Sequence, residues 1–452
     1  MQIRANHWQI DKQLVMAIAG GIAAALLLCF TNPAIMAAAL GAVVVVIAVF
    51  ASDRSRLLLL GLVTASWGVQ LGDGLPATIM MTLVVAVRSI KAWINCHQIK
   101  LGWPEFFLIL FIALNWFSAF PNAQLDSFKP LLKLTLGMMI FLLALDSSKE
   151  WLGTEPEKLI RMVVVSGTIF TAALVFINIF IWHSPFLTAN FLNSASGAGK
   201  NQLAFYLANL YGITYLMNIK RPKQLIWIRL IIFLAIVYTQ SRGALVAVLL
   251  ATGFYWCLKL WYKQIRISRP LMIKIFLLTL IVVLVPAIVI ISSPPEEKEA
   301  LVERLQVFDA ITRSYDSGSV GARKYLLSLG LDLFAERPFF GHGINAFYAN
   351  SIWMGMRYLS HNDYIQILVE QGLTGLILLA GFVLAMLGRI LRARAKNGSH
   401  LGAVVTLLIP IVYLLFINAM QTPLIWFVFA LIQGVVRNGE GQIQGSHSYN
   451  AI

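Results

Sequence analysis

Apolar residues along this chain fall in long blocks separated by short polar punctuation, and they almost nowhere alternate one for one as on a half-buried strand. The blocks lie near 14–30, 33–50, 57–72, 75–90, 105–120, 130–145, 160–182, 202–218, 225–240, 243–260, 275–292, 363–388, 403–418 and 421–436. Several approach the roughly 20 apolar residues that carry a helix across a bilayer. Counting every block gives fourteen spans, and the short pairs at 57–90 and 403–436 allow twelve full ones. The pattern predicts an all-α polytopic membrane protein with 12–14 transmembrane helices. A second apolar run follows the first at once, so the N-terminal block reads as a retained hairpin rather than a cleaved signal peptide.

One segment breaks the rhythm. Residues 293–362 carry seven basic and eight acidic side chains. Ser292-Ser293-Pro294-Pro295 followed by Glu296, Glu297 and Glu299 has the form of a helix start with acids in its first turn. Leu301, Leu305, Phe308 and Ile311 then recur at helical spacing, and a second helix is expected from about Val320 to Ala335, ending before Arg337-Pro338. The segment is expected to be a small helical cap. The chain thus divides into N-terminal spans (1–200), spans around Arg242 (201–292), the cap (293–362), C-terminal spans (363–437) and a tail (438–452), with no internal repeat.

Composition sharpens the class. Of 452 residues, 59% are hydrophobic and only 12% charged, against about 25% charged in ordinary soluble chains. Mean hydropathy is +0.78. These values exclude a soluble fold, a disordered tail, a secreted disulfide scaffold and a porin-like barrel. Cys29, Cys96 and Cys257 lie far apart with no C-x-x-C pair, so neither a zinc site nor a disulfide framework is indicated. The net charge of +15 does not point to nucleic acid, because the basic residues recur in small groups between spans, as orientation signals and lipid-headgroup contacts. With the N-terminus placed in the cytoplasm, most of them fall on the cytoplasmic side, including Arg54/Arg56, Lys220/Arg221/Lys223, Lys263/Arg266/Arg269 and Arg389/Arg392/Arg394. Both termini are then expected in the cytoplasm and the cap on the outer face.

Ionisable groups at mid-membrane mark ion paths, and the middle of nearly every span lacks them. Glu370 comes closest, about two turns below the outer surface, so a proton- or ion-coupled pump is disfavoured. Polar chemistry collects instead at the outer interface. Arg242, in Thr239-Gln240-Ser241-Arg242-Gly243, sits between two spans with almost no loop. It is either an interfacial arginine snorkelling to lipid phosphate or a fixed guanidinium for a membrane-bound phosphate, with Gly243 allowing close approach. His361, in Ser360-His361-Asn362-Asp363, stands where the cap re-enters the membrane. That cluster is good helix-capping material, yet a neutral imidazole there can take a proton from a hydroxyl near pH 7. Arg323, near the start of the second cap helix, is either a solvated surface charge or a second cation for a diphosphate. Arg337-Pro338-Phe339-Phe340-Gly341-His342-Gly343 reads as a turn. Tyr315, Tyr348, Trp353 and Tyr358 can stack on sugar faces or simply pack the cap. No D-x-D and no paired outer carboxylates occur, which argues against a metal-dependent glycosyltransferase. No Walker or dinucleotide fingerprint appears either.

From about Asn201 to Gly375 the chain resembles the bacterial O-antigen ligase and O-antigen polymerase superfamily. Three patterns carry the likeness: Ser241-Arg242-Gly243-Ala244 preceded by Asn201 and Ala204; Arg323 followed by Pro338, Gly341 and Gly343; and His361-Asn362 running into a span with Glu370, Gly372 and Gly375. The resemblance implies a metal-free, all-helical membrane glycosyltransferase (GT-C-like) fold with a periplasmic cap, working without cofactor at the bacterial inner membrane. It implies an undecaprenyl-diphosphate-linked polysaccharide as donor and, for a ligase, a lipid A–core sugar as acceptor. It maps the family's histidine onto His361 and its two arginines onto Arg242 and Arg323, with Asn201, Arg337, Asn362 and Glu370 in support. Polymerases often show two large outer loops. This chain has one substantial cap and a smaller loop at 183–200, which favours the ligase over a polymerase or a protein O-oligosaccharyltransferase. A non-catalytic lipid-linked-sugar binder or transporter would show intramembrane charge or inverted repeats, and neither is evident.

Overall fold

The computed structural model describes residues 70–71, 75–76, 102–119, 128, 130–139, 141–142, 156–181, 183, 187, 199–217, 222–262, 319–353, 355–397 and 401–448. The spans expected at 14–30, 33–50 and 275–292 and the first cap helix lie outside these residues. So do those at 57–72 and 75–90, except where Gln70–Leu71 (β1) pairs antiparallel with Leu75–Pro76 (β2). At those four residues the chain is extended rather than helical, in keeping with the Gly-Asp-Gly turn sequence between them and the missing N–H of Pro76.

The remaining expected blocks are helices. They are α1 (Trp103–Ala119), α2 (Pro130–Met139), α3 (Pro156–Phe180), α4 (Gly199–Ile213, ending in a 3-10 turn at Thr214–Leu216), α5 (Pro222–Tyr238) and α6 (Arg242–Trp261). The cap contributes α7 (Ser319–Glu336), the short α8 (Ala346–Asn350) and a ribbon of β3 (Ile352–Trp353) with β4 (Met356–Arg357). Then come α9 (Asp363–Asn397), α10 (Leu401–Tyr413) and α11 (Pro423–Ser448). Among the described residues three helices are long and apolar enough to cross a membrane: Val163–Phe180, Arg242–Trp261 and Asp363–Ala393. Shorter apolar helices accompany them, and the protein is an all-α membrane protein.

The bundle is apolar on both its inside and its outside. At the centre, α10 is buried along Leu401–Leu407, and α11 is buried from Leu424 to Gln433. Phe141 with Phe382, Phe382 with Phe429 and Trp426 with Phe429 meet edge to face between α9 and α11, an arrangement favoured by the ring quadrupole. Outward-facing positions such as Phe117, Trp227, Leu250, Ile377 and Leu384 are large and exposed. Such faces suit lipid rather than water. Several buried polar side chains bond across helices, while Asn209 Oδ1, Thr252 Oγ1 and Gln371 Oε1 are buried without a hydrogen-bond partner among the described residues. Thr406 Oγ1 donates to the Gly212 carbonyl (2.8 Å), tying α10 to α4. At the far end of α9 from its start, Arg389 donates to Glu105 (3.1 Å), whose carboxylate also accepts from Gln433 Nε2 (2.9 Å) and Gly102 N–H (2.8 Å).

Three helix ends differ most from the hydropathy reading. The largest difference is at α11, where the span expected to end at 436 continues as helix to Ser448, through most of the stretch expected as a tail. The span expected at 363–388 runs on to Asn397, because the helix continues through basic residues past its apolar part. The span expected at 403–418 stops at Tyr413. Its last turns tighten through Leu415 N–H to Val412 and Phe416 N–H to Tyr413, opening a connection at 414–422 in place of a two-residue loop.

The deepest irregularity lies in α9. Gly372 takes φ +66°, ψ −163°, a region essentially reserved for glycine, and the helix breaks there. The turn at 338–343 fills the break. His342 N–H donates to the Val369 carbonyl (2.8 Å) and Gly343 N–H to that of Glu370 (2.9 Å). Leu373 and Thr374 N–H donate back to the carbonyls of Pro338 (2.8 Å) and Phe339 (3.1 Å). A Cβ on Gly372 would stand 2.4 Å from the Phe339 carbonyl carbon and oxygen, and one on Gly341 (φ +69°) 2.5 Å from the Glu370 carbonyl carbon. Gly372→Ala is therefore expected to cost about 3 kcal/mol or more from strain and overlap together, while Gly388→Ala, which meets no atom within 4 Å, is expected to be tolerated. Thermal unfolding of the two detergent-solubilised variants checks this; equal midpoints would contradict it.

Candidate functional site at the Tyr413 end of the bundle

Helices α5 and α6 are joined by the turn Thr239–Gln240–Ser241. Gln240 adopts a left-handed backbone (φ 55°), and its N–H closes onto Val237. Thr239 Oγ1 accepts the Ser241 N–H (3.2 Å), so the reversal is complete within three residues. The Ser241 hydroxyl does not cap α6. It lies 2.8 Å from the Tyr413 hydroxyl, which also donates to the Asn201 carbonyl (3.0 Å). Tyr413 thereby fastens the starts of α4 and α6 to the end of α10. Gly243 abuts that same end: a Cβ there would stand 2.7 Å from the Tyr413 ring and 2.6 Å from Phe416 Cβ. Its lack of a side chain lets α6 close on α10, and Arg242, the residue before it, is left exposed at the first turn of α6. A cation at a helix N-terminus works against the helix dipole.

His361 lies just before α9 with a left-handed backbone (φ 53°), a conformation uncommon for a residue with a Cβ. Its N–H donates to Asn418 Oδ1 (2.7 Å) in the 414–422 connection. Asn362 Oδ1 accepts the N–H groups of Tyr364 (3.0 Å) and Ile365 (3.2 Å) and so caps α9. Asp363, buried, accepts from the N–H groups of Ala419 (2.6 Å) and Met420 (3.0 Å), while its own N–H donates to the Leu414 carbonyl (2.9 Å). The imidazole is half-buried, and among the described residues no hydrogen bond to it is found. Burial, and then the positive charge of Arg323, lower its pKa below the ordinary value of 6.5. Arg323 projects from α7, exposed, and its field reaches both His361 and Tyr413.

The structure therefore brings Asn201, the Ser241–Arg242 turn, Arg323 and the His361 loop to one end of the bundle, around Tyr413. The other residues singled out in the sequence take different places. Arg337 is exposed, and its carbonyl accepts Gly341 N–H (3.1 Å) within the turn. Glu370 is buried and accepts from Gln366 Nε2 (3.1 Å), with Asn345 N–H and Gln371 as further partners. His342 bonds the Leu333 carbonyl (2.7 Å), holding α7 to the turn. Tyr358 packs in the small cap core, and Tyr348 is exposed. Among the described residues no three His, Cys, Asp or Glu side chains group as metal ligands.

Sequence reasoning missed Tyr413 and Asn418. A tyrosine within an apolar run carries no signal. Asn418, by contrast, opens a polar cluster with Gln421, Thr422 and Pro423 that could have shortened the expected span.

Lipid-facing helices with a polar cluster of two arginines, an imidazole and amides gathered at one end describe a helical membrane protein. Residues 227–380 match the family model for O-antigen ligase, which supports assigning the chain to the O-antigen ligase/polymerase family. No curated protein matches it. Members of that family are glycosyltransferase-like ligases and polymerases, which supports an enzymatic role, and the family implies lipid-linked polysaccharide substrates. The matched stretch includes Arg242, Arg323 and His361 but excludes Asn201, Tyr413 and Asn418.

Tyr413→Phe removes both contacts of that hydroxyl and leaves Ser241 Oγ buried without its partner. A loss of about 1–3 kcal/mol is expected, read as a lower unfolding midpoint in detergent. An unchanged midpoint would show that the link between α6 and α10 does not depend on it.

Proposed function

We propose that this protein is an O-antigen ligase. It transfers a polysaccharide from undecaprenyl diphosphate to a sugar hydroxyl of lipid A–core on the periplasmic face of the inner membrane, without a metal and with inversion. The observation that carries the reading is the convergence of Arg323, His361 and the Arg242 turn around Tyr413. Arg242 and Arg323 hold the diphosphate and offset the charge that develops on it. An imidazole nitrogen of His361 takes the proton of the acceptor hydroxyl as its oxygen bonds to the anomeric carbon. The bond from that carbon to the phosphate oxygen breaks, and undecaprenyl diphosphate leaves with the electron pair. The leaving group is already activated, so no nucleotide is consumed. One base with no carboxylate nucleophile gives a single displacement. The lowered pKa of His361 keeps the imidazole neutral at pH 7, the form a base requires.

The test is transfer by purified protein from undecaprenyl-diphosphate-linked polysaccharide to lipid A–core in EDTA. Wild type is expected to be active, and His361→Ala to lose about 10²–10⁴-fold, the usual worth of a general base. Lengthening of the donor with lipid A–core ignored would make the protein a polymerase, and transfer to a protein acceptor an O-oligosaccharyltransferase. Full activity of His361→Ala would leave that residue's segment a helix cap and nothing more.

The pH profile gives a second check. Because the His361 pKa is lowered, activity is expected to persist below pH 6.5 and to fall as pH drops through the lowered value. Arg323→Gln removes a charge that disfavours imidazolium, so the pKa rises and the acid limb moves to higher pH, whatever happens to the maximal rate. A limb that stays in place in Arg323→Gln would dissociate the two residues.

A further inference from the structure

The His361 loop is held from outside the matched stretch by one side chain. Asn418 Oδ1 accepts the His361 N–H (2.7 Å), while its Nδ2 donates to Ser360 Oγ (2.9 Å) and Gln366 Oε1 (2.6 Å) and lies 3.5 Å from Asp363 Oδ1. One amide thus contacts the residue before His361, His361 itself and two residues after it. The amide oxygen and the amide nitrogen of Asn418 are both directed at this loop and the first turns of α9. The left-handed backbone of His361 makes such a hold necessary. A residue with a Cβ enters that region at a cost, and an extended backbone at the same position would aim the imidazole elsewhere. Asp363 reinforces the link from the other side by accepting the N–H groups of Ala419 and Met420. The 418–420 turn is therefore sewn to the His361 loop in both directions.

We infer that Asn418 is a positioning residue for the reaction: it fixes the left-handed backbone that points the His361 imidazole at the acceptor hydroxyl. This rests on the reading of His361 as the base. Asn418 touches no reacting atom, so its effect passes through His361 alone. Displacing a catalytic group by about an ångström can cost on the order of 10²-fold in rate. Asn418→Ala is expected to lower kcat by about 10–100-fold with the donor KM within about twofold of wild type.

The deciding experiment is a double-mutant cycle of Asn418→Ala and His361→Ala in the transfer assay. If Asn418 acts through His361, Asn418→Ala causes no further loss, within about twofold, in the His361→Ala background. Losses that multiply would give Asn418 a separate structural role and overturn the proposal, as would an Asn418→Ala variant with wild-type kcat. Should Asn418→Ala fail to fold, Asn418→Ser, which keeps one short polar group there, is put through the same cycle and judged by the same two criteria. The two failures are distinguishable. A fully active His361→Ala overturns the base reading and the inference with it, whereas an inactive His361→Ala beside a fully active Asn418→Ala overturns the inference alone.

Discussion

The break in α9 at Gly372 is the constraint on which the rest of this end of the molecule depends. A helix interrupted among apolar neighbours leaves carbonyl and N–H groups that no water can satisfy, and each unmet group costs several kcal/mol in hydrocarbon. Here the turn at 338–343 supplies two donors and two acceptors, and all four distances lie between 2.8 and 3.1 Å. The exchange works only if two backbones meet without intervening side chains, which is why glycine stands on both faces, at 341 and 372. It fixes more than the turn. Helix α7 ends directly before it, His342 ties the turn back to Leu333, and α8 begins directly after it. The angle at which α7 carries Arg323 over the bundle is therefore set by a backbone splice inside a membrane helix.

The end of α10 is the second fixed point. Tyr413 takes Ser241 and Asn201, the Leu414 carbonyl takes the N–H of Asp363, and Asn418 takes that of His361. Residues far apart in sequence, on α4, α6 and α9, are thus referred to one short stretch of chain. Such a frame suits the side-chain diphosphate site proposed above. Where a cation must be matched to a diphosphate by side chains alone, its position has to be set by the surrounding packing, because no coordination sphere sets it.

Much of this architecture was legible in the sequence because lipid imposes a simple rule. Helices α1, α3, α5 and α6 begin within about four residues of their apolar blocks, and the cap helix expected at Val320–Ala335 runs from Ser319 to Glu336. What was not legible is non-local. Pro338, Gly341 and Gly343 read as a turn, and Gly372 as one more glycine in a span; nothing in their spacing says that one plugs the other. Hydropathy also cannot see where a helix stops. Basic residues extended α9 beyond its apolar part, and the tightening after Pro410 ended α10 early, placing Asn418 in a connection. Arg242, Arg323 and His361 stood out because charge and imidazole are rare in this composition. The hydroxyl of Tyr413 did not, since its ring reads as core.

The buried carboxylates bear on which group can act as a base. Asp363 and Glu370 both lie near His361 along α9, and a carboxyl at such a depth is the usual suspect for proton transfer. Each is occupied, however. Asp363 spends its oxygens on two main-chain N–H groups and the Asn418 amide; Glu370 accepts from Gln366, Gln371 and the main chain at Asn345. Main-chain donors cannot rotate away, so these hydrogen bonds hold the loop and the turn in place. The two acids serve as clamps for the elements that carry Arg323 and His361. On the reading proposed above the proton goes instead to the imidazole, which is half-buried, makes no hydrogen bond among the described residues, and is kept neutral by burial and then by the charge of Arg323.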